Sequence, residues 1–102
     1  MANTFKNYTS ASVGTSPVTT YTVPAATTSV MIGMNVSNTT ASMIYVDVQV
    51  AGVYLVKAVP IPVGAGLSVL DGKIILETTD TVVVTSSAAT SADVIVSVLE
   101  QT

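Results

Sequence analysis

Residues able to do chemistry are few in this chain. Asp47, Asp71, Glu77, Asp80, Asp93 and Glu100 are its carboxylates, Lys6, Lys57 and Lys73 its side-chain cations, and it has no histidine, cysteine or arginine. Without histidine or cysteine, the Ser–His and Cys–His routes to an activated nucleophile are closed. Carboxylate acid–base chemistry needs a close pair, and these acids are scattered singly, mostly at predicted turns and strand ends. Asp71 before Gly72 and Asp80 before Thr81 are turn residues by type and place. Glu77 and Asp80 are the one close pair that could begin a calcium site, but their spacing matches no calcium loop and reads as solvated turn acids. Gly64-Ala65-Gly66 has no following helix to receive a phosphate and reads as a turn. Asn7, Asn35 and Asn38 each open an Asn-x-Ser/Thr triplet, a frequent accident where Ser and Thr make up roughly a quarter of the chain. Tyr21, Tyr45 and Tyr54 would make a sugar-stacking platform only on a shared face, and Tyr45 and Tyr54 are expected on opposite ones. The expectation is a non-enzyme, with no catalytic residue, metal ligand, cofactor or small-molecule substrate.

The elements that would position any site are strands. Apolar residues form 49% of the 102 residues but aromatics only 5%, so the core must be aliphatic. Val and Thr, β-branched and stiff at χ1, suit a pleated sheet. Charged residues are 9%, far below the ~25% of an average soluble domain, so a hydroxyl-rich surface is poorly guarded against association. Net charge is −3, leaving no basic patch for nucleic acid. The N-terminal stretch lacks the pattern of a signal peptide, and no apolar run is long enough to span a membrane. The chain reads as a small gene product made in the cytoplasm.

Met43 to Val59 is the strongest hairpin. Ile44, Val46, Val48 and Val50 alternate with Tyr45, Asp47 and Gln49, the period of a strand with one buried face. An odd loop centred on Gly52 pairs Val48 with Val56 and sets Asp47 opposite Lys57, whereas an even one would turn Lys57 into the core. Other strands are expected at Thr19–Val23, Ser29–Ser37 (with Gly33 marking a bulge), Leu67–Leu70, Lys73–Leu76, Thr81–Thr85 and Asp93–Glu100. Asp71-Gly72 is expected to turn a hairpin, and Pro60 to Gly66 to cross between sheets. About eight short strands with one long crossover predict an all-β, single-domain antiparallel β-sandwich, jelly-roll-like, over residues 19–102. Residues 1–18 are expected to be a polar arm that orders only on partners, with Phe5, Tyr8 and Val13 as its apolar contact points.

Several blocks carry a family resemblance. Tyr21-Thr22-Val23-Pro24-Ala25, Ile32-Gly33-Met34-Asn35-Val36, Tyr54-Leu55-Val56-Lys57, Pro60-Ile61-Pro62-Val63-Gly64, Asp71-Gly72-Lys73-Ile74-Ile75-Leu76-Glu77 and Ala92 to Glu100 resemble small virion structural proteins of tailed bacteriophages, a type frequent in cyanophages. The chain departs from the pattern at Ala26 and Thr79, where that family leads one to expect glycine. The resemblance implies a capsid decoration (cement) protein on the outer capsid surface, bound to the major capsid protein and to copies of itself as a homotrimer. A neck, tail or fibre-associated adaptor is the alternative within the same class, and a carbohydrate-binding module on the host surface is the alternative outside it.

Overall fold

A computed structural model describes residues 2–69 and 72–102. Its strands are β1 (Asn3–Val13), β2 (Val18–Thr22), β3 (Thr28–Asn38), β4 (Ile44–Val50), β5 (Val53–Ile61), β6 (Gly66–Ser68), β7 (Ile74–Leu76), β8 (Thr81–Ser86) and β9 (Ala92–Gln101). They form two sheets, β1-β9-β3-β6 with β7 also on β3, and β2-β8-β4-β5. The protein is a single-domain antiparallel β-sandwich.

The path is that of one long hairpin bent over on itself. β4 pairs with β5 at its tip, then β3 with β6 and β7, β2 with β8, and β1 with β9 at its open end. Bending brings β3 against β9 and β4 against β8, closing the two sheets in jelly-roll order.

Alternation sets the core. Val46 and Val48 of β4, Val82 and Val84 of β8, Met31, Met34 and Val36 of β3, and Val94, Val96 and Val98 of β9 are buried between the sheets. Full burial of each such side chain contributes about 1.5–3 kcal/mol against solvent exposure. Tyr21 is the one buried aromatic among the described residues.

The structure redraws four expectations. Residues 3–13 are not a free arm: β1 runs antiparallel to β9 from Asn3↔Gln101 to Ser10↔Val94. The first strand lacks apolar alternation because its inward positions, Thr4, Lys6, Tyr8 and Ser10, are polar. Lys6 and Tyr8 bond to Glu100 and Ser10 to Thr20, and the strand's partner lies at the far end of the chain. Second, the β4–β5 turn has two residues, Ala51 (φ 52°) and Gly52 (φ 79°), both left-handed, the turn whose twist fits a hairpin. Val48 still pairs with Val56, because β5 carries one extra residue there and another opposite Asp47. These bulges keep Lys57 in solvent, its Nζ 4.4 Å from the Tyr54 ring centroid, and Asp47 accepts the Ala58 N–H at 2.6 Å instead of facing Lys57. Third, Tyr54 lies opposite Gln49 and so shares the outer sheet face with Tyr45. Fourth, β6 and β7 do not form a hairpin with each other. They lie end to end along β3, where Leu76 is buried beneath the sheet. Asp71 of the expected turn lies outside the described residues. The bulge at Gly33 is present, as a register shift between Met31 and Gly33. The chain does pass between sheets ahead of Gly66, but Pro60 and Ile61 stay in β5, paired with Tyr45 and Ile44, so the passage begins at Pro62 and not at Pro60.

Candidate functional site

Two features stand out: a buried polar cluster between the sheets, and an apolar row across the outer face of the β1-containing sheet.

Glu100 makes the cluster. It occupies an inward position of β9, in line with Val94, Val96 and Val98, and is 5% exposed. A carboxylate there needs partners. Tyr21 of β2 donates to Oε2 at 2.6 Å and Tyr8 of β1 donates to the same oxygen at 2.8 Å. Lys6 Nζ of β1 lies 3.4 Å from Oε1. The two tyrosine rings stack at 4.3 Å between centroids, and Tyr21 Oη also reaches Ser29 Oγ at 3.2 Å. Burial works to raise the Glu100 carboxyl, but hydrogen bonds from Tyr21 and Tyr8 and the Lys6 charge outweigh it and hold the group below its ordinary value. Burial, reinforced by the Glu100 hydrogen bond and charge, pushes Tyr8 up to about 12 and Tyr21 higher still. Both phenols therefore stay protonated as donors at neutral pH, and the carboxylate stays ionised. The cluster ties β1 and β2 to β9.

Two further acids accept backbone N–H groups, as Asp47 does in the β4–β5 hairpin. Asp80 Oδ2 accepts the Glu77 N–H at 2.9 Å, closing their turn. Asp93 Oδ1 accepts the Ser12 N–H at 2.9 Å. Among the described residues, no three acidic side chains converge as a metal cage would require. Asn38, the start of one expected triplet, is buried and spans a loop, donating to Ser42 and Ile61 carbonyls at 2.8 and 2.9 Å and accepting from Thr40 N–H at 2.8 Å. Tyr45 and Tyr54, though on one face, are separated by four positions of β4 register, about 13 Å. They share no platform.

The three expected contact residues separate. Phe5 is 74% exposed on the outer face, Tyr8 is half-buried in the Glu100 cluster, and Val13 is buried in the core. Phe5 begins the row that sequence reasoning missed. Register sets Phe5 beside Leu99, Leu99 beside Val30, and Val30 beside Ile75, so one apolar line crosses β1, β9, β3 and β7. Ile75 at its other end is 70% exposed, and Ile32 and Ile95 are also exposed nearby. Between Phe5 and Ile32 lies an open hollow of about 240 Å³, lined also by Lys6, Asn7, Ser97 and Val98. Among the described strand residues of this face, Asp93 at one end is the one outward charge. Each strand taken alone shows one or two outward apolar residues, so the row becomes visible only once the register is known.

Among solved structures, the chain is similar to one from Bacillus endospore appendages, described as a novel family of disulfide-linked pili. The TM-score is 0.55 at 14% sequence identity, over 99% of this chain and 87% of that one. A likeness at this identity shows a shared fold. No protein-family model matches the sequence, and no curated protein matches it.

Proposed function

We propose that the protein is a non-enzymatic structural component of a tailed-bacteriophage virion, a decoration protein that binds the assembled head shell through the major capsid protein. One observation carries the structural reading: a nearly uncharged outer sheet face crossed by the Phe5–Leu99–Val30–Ile75 row. Exposed apolar surface organised across strands is a feature of surfaces that are covered in the working state. The polar groups nearest to an active-site constellation, those around Glu100, bond to one another. The phage assignment rests on the sequence blocks described above. The likeness to a chain from an assembled pilus is in keeping with a structural role, although a chain without cysteine cannot be joined to its neighbours by disulfides.

Binding to the shell but not to free capsid subunits stabilises the shell by mass action, RT ln(1 + [L]/Kd) at each site. The test is the stoichiometry of the purified particle, this chain against the major capsid protein. A ratio near one, or a simple fraction of it, is expected. A ratio of a few per cent would move the protein to the neck or tail, and absence from the particle would overturn the reading.

A further inference from the structure

The sandwich has four sheet edges, and they are not alike. β2 is five residues long, lies between Pro17 and Pro24, and has a register shift between Thr19 and Tyr21. β5 carries two bulges, a left-handed Ala58 (φ 51°) and Pro60. β6 and β7 are three residues each, in two separate pieces. Bulges, prolines and short strands are the devices that stop one sheet from pairing with another. β1 has none of them between Asn3 and Ser10, where its register on β9 is unbroken. Its one charge, Lys6, is drawn inward to Glu100 and does not guard the edge.

Backbone parity shows which groups are open. Ala2 and Thr102 exchange both of their backbone hydrogen bonds, at 3.1 and 3.0 Å. Because antiparallel pairs alternate, Thr4, Lys6, Tyr8 and Ser10 also bond to β9, and Asn3, Phe5, Asn7 and Thr9 aim their N–H and C=O groups away from it. Among the described residues, no strand pairs with that side of β1.

We infer that β1 is a strand-pairing edge whose partner is β1 of a second copy, joined antiparallel about a two-fold axis at Phe5. A second copy is the occupant because the molecule's other edges are blunted, so β1 is the edge within it suited to pair with β1. A two-fold closes the contact and prevents a filament. The register follows from side chains. An axis at Lys6 would set two ammonium groups face to face, which is unfavourable across strands. An axis at Phe5 sets Phe5 against its equivalent, Asn3 against Asn7, and Lys6 against Thr4 of the second copy. Outward backbone groups then meet one another in about six hydrogen bonds. On the outer face, the apolar row of one copy continues through the two phenylalanines into that of the other. The pair replaces the three-fold cluster implied by the phage resemblance, and it does not depend on which particle the protein occupies.

The full chain tests this directly. Sedimentation equilibrium of the wild type should give twice the 10.4 kDa chain mass. Asn7→Pro removes an N–H that points away from β9, so the folded chain keeps its melting temperature within a few degrees while pairing weakens ~10-fold or more. In a chain lacking other cysteines, Phe5→Cys should oxidise readily to a disulfide-linked pair, and Asn3→Cys, facing Asn7 of the second copy, should not. A monomer at the highest soluble concentration, a three-chain mass, equal crosslinking by both variants, or pairing undiminished in a folded Asn7→Pro protein would each overturn the inference.

Discussion

Glu100 shows how a single charge is made compatible with an aliphatic core. Its two oxygens are shared among Tyr21, Tyr8 and Lys6, so removing the acceptor strands donors that have been taken out of water. Glu100→Ala is expected to destabilise the fold by about 1–3 kcal/mol, and Glu100→Gln, which keeps an acceptor oxygen, by less. Chemical denaturation at pH 7 measures both. The same residues set the pH limits. The Glu100 carboxyl is held below its ordinary 4.5, so its contribution is present above that value and is lost as pH falls through the folded pKa. Tyr8 is raised from 10.0 to about 12, so its contribution is complete below pH 10 and fades as pH rises toward 12. Wild-type stability against pH should therefore form a plateau falling at both ends. Glu100→Gln should flatten the acid side, because the linked proton is gone, and a Glu100→Gln profile that keeps the full acid slope would show that other carboxylates set it.

At the scale of elements, the turns hold strain that the sequence partly advertises. Among the described residues, six non-glycine residues have left-handed backbones: Ser12, Ala26, Ala51, Ala58, Thr79 and Thr90. Ala26 (φ 54°) and Thr79 (φ 72°) are the two positions where the family resemblance leads one to expect glycine. The mismatch is therefore physical, since an L side chain there crowds its own carbonyl at ~1–2 kcal/mol per residue. Thr79 is β-branched, the worst type for this conformation. Thr79→Gly should raise the melting temperature despite glycine's greater unfolded-state entropy, by up to about 1 kcal/mol of stability. Ala51→Asn should do the same by supplying the residue that a two-residue hairpin turn favours. Calorimetry decides both, and a lower melting temperature in either variant would mean that the native side chain makes a compensating contact.

These positions also mark what was legible in the chain. Val alternation in Ile44–Val50 and Ala92–Gln101 placed the core strands and their inward faces. Gly33 marked its bulge, and the prolines marked the passage between sheets. Keeping Lys57 out of the core requires the Val48–Val56 pair, and the chain reaches it with a bulge and not with an odd loop, because both give the same local pairing. β1 was hidden because its stability comes from backbone pairing and from Tyr8 and Lys6, whose carboxylate partner is some 90 positions away. Inward Glu100 at the end of a valine series was the one local sign that distant donors must exist.

At the scale of the molecule, the nesting of pairs around the β4–β5 tip has a consequence for how the protein is made. β1, made before the other eight described strands, has its partner in β9, paired from Asn3↔Gln101 to Val13↔Ala92. β1 therefore waits unpaired in solution until β9 has been made, as does the edge of β3 that β9 takes up. Such non-local closure belongs to the slow end of two-state folding, ms to s. At a synthesis rate of ~5–20 residues per second, the wait lasts several seconds. Nascent chains tethered by a C-terminal linker should become protease-resistant only when the linker is long enough to expose Gln101, in one step with no resistant shorter species. Those seconds are when neighbouring chains on one message can pair wrongly, and the short, bulged and proline-marked edges of its other strands limit that traffic.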